Sequence, residues 1–270
     1  MDRRNYLKTS GAAIAGMGLA GCLGSLTGGS GETITIGSDI PYKPFEYREA
    51  DGDLTGFDVE IAEAVFGDEM GRDYEFKQTS FDGIINSLNN GNFRVIMSAM
   101  TINDERAQEV DFSDPYFTAY QTVLVLKDGN ISAKEDLKGK NVGVQKGTTG
   151  EAAAEQLKEE FGGDLTLKSY DQITGAFDAL TNNQVSAVIN DNTVSAEFAN
   201  ENDAVVFLEG DGAAVEAGQE APPYLTLTVE NYGIAFRQDD DDFRSEVNDA
   251  IAAIKENGTY DDIYSNYFQG

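Results

Sequence analysis

The sequence contains no histidine, and its only cysteine is Cys22. The lack of histidine excludes Ser-His-Asp triads, HExxH zinc sites and histidine general bases. A lone cysteine excludes a disulfide bond within the chain, and no GxxxxGKS/T phosphate-binding loop is present. These absences favour a binding protein over an enzyme, and we expect neither a cofactor nor a metal.

Basic residues are also few: 19 Lys and Arg stand against 48 Asp and Glu, so the formal net charge is −29. A surface this acidic repels nucleic acid, so no nucleic-acid partner is expected. The acidic residues are scattered along the whole chain and do not mark an active site. Halophiles use such surfaces to stay hydrated in high salt, which predicts a halophilic archaeal source. The alternative is that the acidity attracts cationic substrates.

The N-terminus has the features of an export signal. The pair Arg3-Arg4 precedes a small-residue apolar run that ends at Gly21 and is shorter than the roughly 20 residues of a spanning helix. The arginine pair resembles a twin-arginine signal, which exports folded proteins. We therefore predict a signal peptide of the twin-arginine type over residues 1–21.

Cys22 follows Leu19-Ala20-Gly21, where a lipoprotein signal has its acceptor thiol. The glycine- and serine-rich residues after it are typical of a flexible tether. We predict a lipidated cysteine and tether over 22–31, which would anchor the protein at the extracellular face of the cytoplasmic membrane. The alternative is an unmodified buried cysteine after an ordinary cleavage site.

The rest of the chain alternates strand-like runs with amphipathic helical stretches, as in α/β architecture. Strands are predicted over Thr33–Gly37 and Arg94–Ser98, and a short final helix is predicted after Gly258. Apolar residues recur at helical spacing in three further stretches: Phe57, Ile61 and Val65; Phe81, Ile84, Ile85 and Leu88, which Gly91 ends; and Phe243, Val247, Ile251 and Ile254.

Residues 81–98 have a later counterpart at 170–191, and each copy reads as a helix that leads into a strand with polar residues at its end. Two similar α/β lobes would explain this repeat, with a ligand at the carboxyl ends of the strands. The alternative is a chance likeness of two common helix–strand units.

Seven motifs in order along the chain carry a family resemblance: Pro44-Phe45-Glu46-Tyr47, Gly56-Phe57-Asp58-Val59, Phe81-Asp82-Gly83-Ile84, residues 100–106 (MTINDER), residues 110–116 (VDFSDPY), residues 142–150 (VGVQKGTTG) and residues 256–260 (ENGTY). The chain resembles the polar amino-acid binding proteins of ABC importers, solute-binding protein family 3. The resemblance implies an α/β, bilobal type 2 periplasmic-binding-protein fold, in which two hinge strands join two α/β lobes.

On this resemblance, lobe 1 spans 32–120 plus 229–270 and lobe 2 spans 121–228. The hinge strands would lie in Gln121–Leu126 and Thr226–Tyr232, and residues 209–228 form a longer excursion than is usual in the family. The implied function is capture of a polar or cationic amino acid (arginine, lysine, ornithine, histidine or glutamine) by lobe closure. The protein, acting as a monomer, would then deliver the amino acid to the permease of an ABC importer. The alternative is a cyclohexadienyl dehydratase-like enzyme on the same fold.

An arginine and three threonines point to recognition of a carboxylate. Arg106 has a planar fork that matches two carboxylate oxygens, and Thr101 adds a hydroxyl group. Thr148 and Thr149 begin a predicted helix through Leu157, and free N–H groups at a helix start favour an anion. The alternatives are an arginine in a surface ion pair and a capped helix start with no ligand.

The resemblance assigns the remaining contacts. Asp191 would accept the α-ammonium group, although an aspartate after a strand is more often a helix N-cap. Tyr42 and Phe81 would hold the ligand side chain between their rings, although Phe81 also fits the apolar face of its own helix. The other implied contacts are Ser98 and Ala99 beside the ammonium and carboxylate groups, and Asp39, Gln145 and Asn190 at the distal end of the ligand.

Overall fold

The computed structural model describes residues 33–219 and 222–268, so the predicted signal, Cys22 and tether lie outside the described residues. The strands are β1 (Ile34–Ser38), β2 (Tyr47–Arg48), β3 (Leu54–Thr55), β4 (Tyr74–Gln78), β5 (Val95–Ile96), β6 (Asp111–Phe112), β7 (Phe117–Leu126), β8 (Asn141–Gln145), β9 (Thr166–Tyr170), β10 (Ala187–Asp191), β11 (Val205–Phe207), β12 (Thr226–Tyr232) and β13 (Ala235–Phe236). The α-helices are α1 (Phe57–Ala62), α2 (Ile84–Asn89), α3 (Thr149–Glu160), α4 (Ile173–Thr181), α5 (Asn192–Glu201), α6 (Ala213–Glu216), α7 (Asp241–Glu256) and α8 (Thr259–Phe268).

The first lobe is built on a sheet with the strand order β4-β1-β5-β13-β6. Strands β4, β1 and β5 run parallel, whereas β13 is antiparallel to both of its neighbours. Ile34 and Ile36 of β1 are fully buried, as are Phe57 and Ile61 of α1. Helices therefore cover this sheet, as its parallel strands require.

The second lobe is built on a sheet with the order β11-β7-β10-β8-β9, and β12 pairs with β7. Strands β10, β8 and β9 run parallel, and β10 is antiparallel to β7. Alternate residues of β8, Val142 and Val144, are fully buried, as is Leu137. Each lobe thus has parallel strands whose carboxyl ends can meet a ligand.

Strands β7 and β12 join the two lobes and pair antiparallel over Phe117–Thr122 and Thr226–Tyr232. The strand predicted over Thr226–Tyr232 is confirmed, and the one predicted over Gln121–Leu126 begins earlier, at Phe117. The lobe boundaries at 120/121 and 228/229 stay predictions, and they fall within these two strands. The excursion over 209–228 contains α6 and an isolated bridge between Glu209 and Tyr224.

The predicted helices are confirmed, with local differences in their turns. The helix through Phe57 continues as a π-helical turn, Glu63–Glu69, and a 3-10 turn, Phe81–Gly83, precedes α2. The strand predicted over Arg94–Ser98 is wrong beyond Val95–Ile96, because the chain leaves the sheet at Met97 and Ala99 adopts a φ of 45°. Within the described residues, no helix has the length and apolar character to cross a bilayer.

Candidate functional site

A narrow cavity lies between the two lobes, at the carboxyl ends of β1, β5, β8 and β10. Eleven of the twelve residues predicted from the sequence line this cavity: Asp39, Tyr42, Phe81, Ser98, Ala99, Thr101, Arg106, Gln145, Thr148, Thr149 and Asp191. The structure therefore brings them together from both lobes.

Arg106 lies in a 3-10 turn after β5 and is only 8 % exposed. Its guanidinium group donates to the carbonyl oxygens of Thr101 at 2.8 Å and Gly147 at 3.2 Å. The ring centroid of Phe81 lies 5.2 Å away. Burial lowers the pKa of Arg106 from its ordinary value, but an arginine remains protonated in proteins. Among the described cavity residues it is the only basic one, so it is the candidate partner for an anion.

The start of α3 faces the same cavity. Thr148 is the N-cap, and its hydroxyl oxygen accepts from the N–H group of Glu151 at 3.2 Å. Gly147 precedes it with a φ of 73°, a conformation that glycine adopts without strain. The predicted capped helix start is thus confirmed, and its N–H groups and positive dipole end add to the attraction of Arg106 for an anion.

Asp191 ends β10 and occupies the N-cap position of α5, yet its side chain makes no capping hydrogen bond. Its carboxylate instead accepts from the hydroxyl of Tyr42, in the other lobe, and from Nε2 of Gln121 at 2.5 Å. Burial first, and then the charge of Glu230, raise the pKa of Asp191 from 3.8 to about 7. A cation bound here would stabilise the ionised form, because opposite charges lower the pKa of a carboxyl group.

Asp39 follows β1 and is 4 % exposed. Its carboxylate accepts from Nε2 of Gln145, in the other lobe, at 2.5 Å. Burial raises the pKa of Asp39 from 3.8 to about 6, and the hydrogen bond from Gln145 opposes this shift. The cavity therefore has two buried carboxyl groups that a cation would ionise.

The other predicted residues occupy different depths. Phe81 is half-buried and lines the cavity, and it also packs against the apolar cluster around Ile84 and Leu88. It therefore both faces the cavity and belongs to the apolar face of its own helix. Asn190 does not line the cavity; its Oδ1 accepts from the hydroxyl of Tyr42 at 3.1 Å. Asn190 therefore contacts the site only through the Tyr42 hydroxyl, which also donates to Asp191.

The sequence reading missed two buried polar residues beside the site, Glu230 and Gln121. Glu230 accepts from the hydroxyls of Thr101 at 2.6 Å and Thr149 at 2.7 Å. Gln121 donates to Asp191 and, at 3.3 Å, to Glu230. Both stand in predicted hinge strands. A charged or amide side chain in a strand that crosses between the lobes could have indicated that these residues lie near the site.

It also missed two fully buried carboxyl groups beneath Ser98 and Ala99. Glu46 Oε1 accepts from the Ser98 hydroxyl at 2.7 Å, and Asp58 Oδ2 accepts from the Ala99 N–H group at 2.8 Å. Burial, reinforced by the neighbouring carboxyl group, raises the pKa of Glu46 well above its ordinary value. These contacts fix the turn that follows β5, including the strained φ of Ala99.

The arrangement suits a zwitterion with a cationic or polar side chain. Arg106 and the α3 start can neutralise a carboxylate, and Asp191 can accept from an ammonium group. Asp39 can accept from a second donor. Tyr42 and Phe81 offer aromatic faces, which attract both aliphatic chains and cations.

The chain is similar to known solute-binding proteins over most of its length. The family model described as bacterial extracellular solute-binding proteins, family 3, matches residues 34–270. A protein of Neisseria gonorrhoeae named "Probable histidine-binding protein" is 34% identical over 241 residues, which cover 88% of this chain and 84% of that protein.

Two solved structures are similar over nearly the same range. An ancestral arginine-binding protein bound to arginine has a TM-score of 0.77 and 35% identity, covering 89% of this chain and 100% of that one. The ancestral amino acid-binding protein AncCDT-1, a precursor of cyclohexadienyl dehydratase, has a TM-score of 0.75 and 36% identity, covering 88% and 96%. The extent of these matches shows the family: the chain belongs to the bacterial extracellular solute-binding proteins, family 3.

Proposed function

We propose that this protein captures a basic amino acid, with arginine first among the candidates, and delivers it to an ABC importer. The observation that carries the proposal is the convergence of Arg106, Asp191 and Asp39 on one buried cavity. The three groups match the carboxylate, the ammonium and the side-chain cation of such a ligand.

Arg106 belongs to the first lobe and Asp191 to the second, so a zwitterion between them contacts both lobes. Side chains already meet across the cleft: Tyr42 with Asp191, and Asp39 with Gln145. A ligand that makes its contacts only when the lobes are together shifts the population toward that form. This supports capture by lobe closure.

The distal end of the cavity supports a cationic side chain. Asp39 and Gln145 lie there, and neither can neutralise an acidic ligand. A guanidinium group would ionise Asp39 and stack on the aromatic faces of Tyr42 and Phe81. Similarity to the probable histidine-binding protein of Neisseria gonorrhoeae and to the ancestral arginine-binding protein supports a basic ligand. Glutamine remains the neutral alternative, because Asp39 and Gln145 can also bind an amide.

Titration calorimetry across the twenty amino acids plus ornithine, in high salt, tests this function. We expect arginine or another basic amino acid to bind with a dissociation constant in the micromolar range or below. If none of these amino acids gives a binding heat, the proposal is wrong. Turnover of prephenate or arogenate would instead favour the dehydratase alternative. The likeness to AncCDT-1, an ancestral amino acid-binding protein, supports binding.

Asp39→Asn is expected to weaken arginine binding by about tenfold or more, because a hydrogen bond to a charged group contributes roughly 1.5–3 kcal/mol. Glutamine affinity should change less than about threefold, since an asparagine at 39 can still pair with an amide. Calorimetry on the same variant measures both ligands, and the glutamine affinity controls for a general disturbance of the site. Equal losses for both would contradict an Asp39 contact to the side-chain cation.

We infer that the chain is exported by the twin-arginine route and held, as a monomer, at the extracellular face of the cytoplasmic membrane through Cys22. Arg3-Arg4 and the small residues before Cys22 support the export and the anchor. The net charge of −29 supports work in high salt and a halophilic source.

Cys22→Ser should move the protein from the membrane fraction to the soluble fraction, because serine offers no thiol for acylation. Fractionation followed by immunoblotting measures this, with Ser25→Ala as a small change in the same segment that keeps the cysteine. Continued tight membrane association of the serine variant would show that another feature holds the protein there.

A further inference from the structure

Glu230 of β12 is a buried carboxylate that lies beneath the cavity without lining it; it is 6 % exposed. Its Oε2 accepts from the hydroxyls of Thr101 and Thr149 at 2.6 and 2.7 Å. Its Oε1 accepts from the hydroxyl of Thr228 at 2.8 Å. Thr101 belongs to the first lobe and Thr149 to the second, so one carboxylate oxygen joins the two lobes.

Each of the two hydroxyls can donate only one hydrogen bond. A threonine hydroxyl has one proton to donate and two lone pairs, whereas a carboxylate only accepts. With both protons directed to Glu230, the oxygens of Thr101 and Thr149 present lone pairs to their remaining neighbours. They lie 3.3 Å from each other, and the Arg106 guanidinium donates to the backbone oxygen of Thr101.

A ligand carboxylate on Arg106 would therefore lie beside two hydroxyls that have already donated. It gains their hydrogen bonds only if Thr101 or Thr149 turns its proton away from Glu230. Glu230 would then lose donors while remaining buried, which is costly for a charged group. Its charge would also repel the incoming carboxylate.

We propose that Glu230 competes with the α-carboxylate of the ligand for the hydroxyl protons of Thr101 and Thr149, and so limits the preference of the site for ligands with a free carboxylate. Glu230 is thus a positioning residue that acts through the two threonines. The inference rests on the proposed function. Its consequence is a weaker hold on the amino-acid carboxylate than Arg106 and the α3 start would give alone.

The test compares arginine with arginine methyl ester, which keeps the ammonium and guanidinium groups but has no carboxylate. Competition calorimetry on wild type and Glu230→Gln gives the ratio of the two affinities. We expect this ratio to rise at least about fivefold in Glu230→Gln, which is what one recovered hydrogen bond provides. The ligand cations are common to both compounds, so a general change in the site leaves the ratio unmoved.

Glu230→Asp retracts the carboxylate by one methylene and keeps its charge, and it should raise the ratio in the same direction by a smaller factor. Glu159→Gln, an exposed position in α3, is the matched control and should leave the ratio at the wild-type value. If the ratio of the arginine affinity to the methyl ester affinity stays within twofold of wild type in the Glu230 variants that fold, Glu230 does not compete with the ligand carboxylate. If wild type binds no amino acid, the proposed function itself is wrong and the competition is wrong with it.

Discussion

Arg106→Ala is expected to weaken arginine binding by roughly 30-fold to several thousand-fold, because breaking a buried charge pair costs about 2–5 kcal/mol. The variant leaves the ligand carboxylate in a cavity where Arg106 is the only basic residue among those described. It also removes donors to the carbonyl oxygens of Thr101 and Gly147, which lie in different lobes. Titration calorimetry on the purified variant measures the loss.

Two further variants separate charge from position. Arg106→Lys keeps the charge but not the two-pronged geometry, so it should recover only part of the affinity. Arg244→Ala removes an arginine in a surface ion pair with Asp241, and it should bind like wild type, because such pairs contribute little. An affinity of Arg106→Ala within twofold of wild type would place Arg106 outside the binding site.

Asp191→Asn is expected to produce a loss of similar size, about 2–5 kcal/mol, because it leaves the ligand ammonium without its buried counter-charge. The asparagine keeps the size of the side chain and can still bond to Tyr42, so the cleft should keep its shape. Asp178→Asn, at an exposed position of α4 in the same lobe, is the control. Calorimetry that shows equal affinity for the two variants would exclude Asp191 as the ammonium partner.

The pH dependence of binding gives Asp191→Asn a second readout. The pKa values of Asp191 and Asp39 are raised to about 7 and about 6, and a bound cation lowers both, so binding releases protons. Wild-type affinity should therefore rise with pH from about 5 to about 8 and level off above that. Asp191→Asn should keep only the part due to Asp39, with a smaller rise centred near pH 6. Identical profiles would contradict this assignment.

Asp39 and Asp191 could be placed from the sequence because they stand at the ends of predicted strands, whereas Gln145 was assigned by the family resemblance alone. Asp39 follows β1, Gln145 ends β8 and Asp191 ends β10. Parallel strands place these positions at one edge of each sheet, whatever the details of packing. The helix start at Thr148 was predictable for the same local reason, since glycine and threonine before an apolar stripe are typical of a helix N-terminus.

The carboxylates beneath the site were not predictable in this way. Glu46, Asp58 and Glu230 are buried by contacts with residues 41 or more positions away, such as Ala99 for Asp58 and Thr101 for Glu230. In a chain with 48 acidic residues, nothing local distinguishes Glu46 and Asp58 from the solvated majority, and only the place of Glu230 in a predicted hinge strand marked it. The early end of β5 was missed for a related reason: the Asp58 bond to the Ala99 N–H group helps hold that residue off the sheet.

The strand order of the first sheet has a consequence for how the protein is made. Strand β13 lies between β5 and β6, yet it is synthesised more than a hundred residues after either of them. The first lobe must therefore stay incomplete on the ribosome until Phe236 has emerged, whereas strands β7 to β11 of the second lobe are complete once Phe207 has emerged. The second lobe is thus free to begin assembling first, and the late arrival of β13 joins the segment before β7 and the segment after β12 into one lobe.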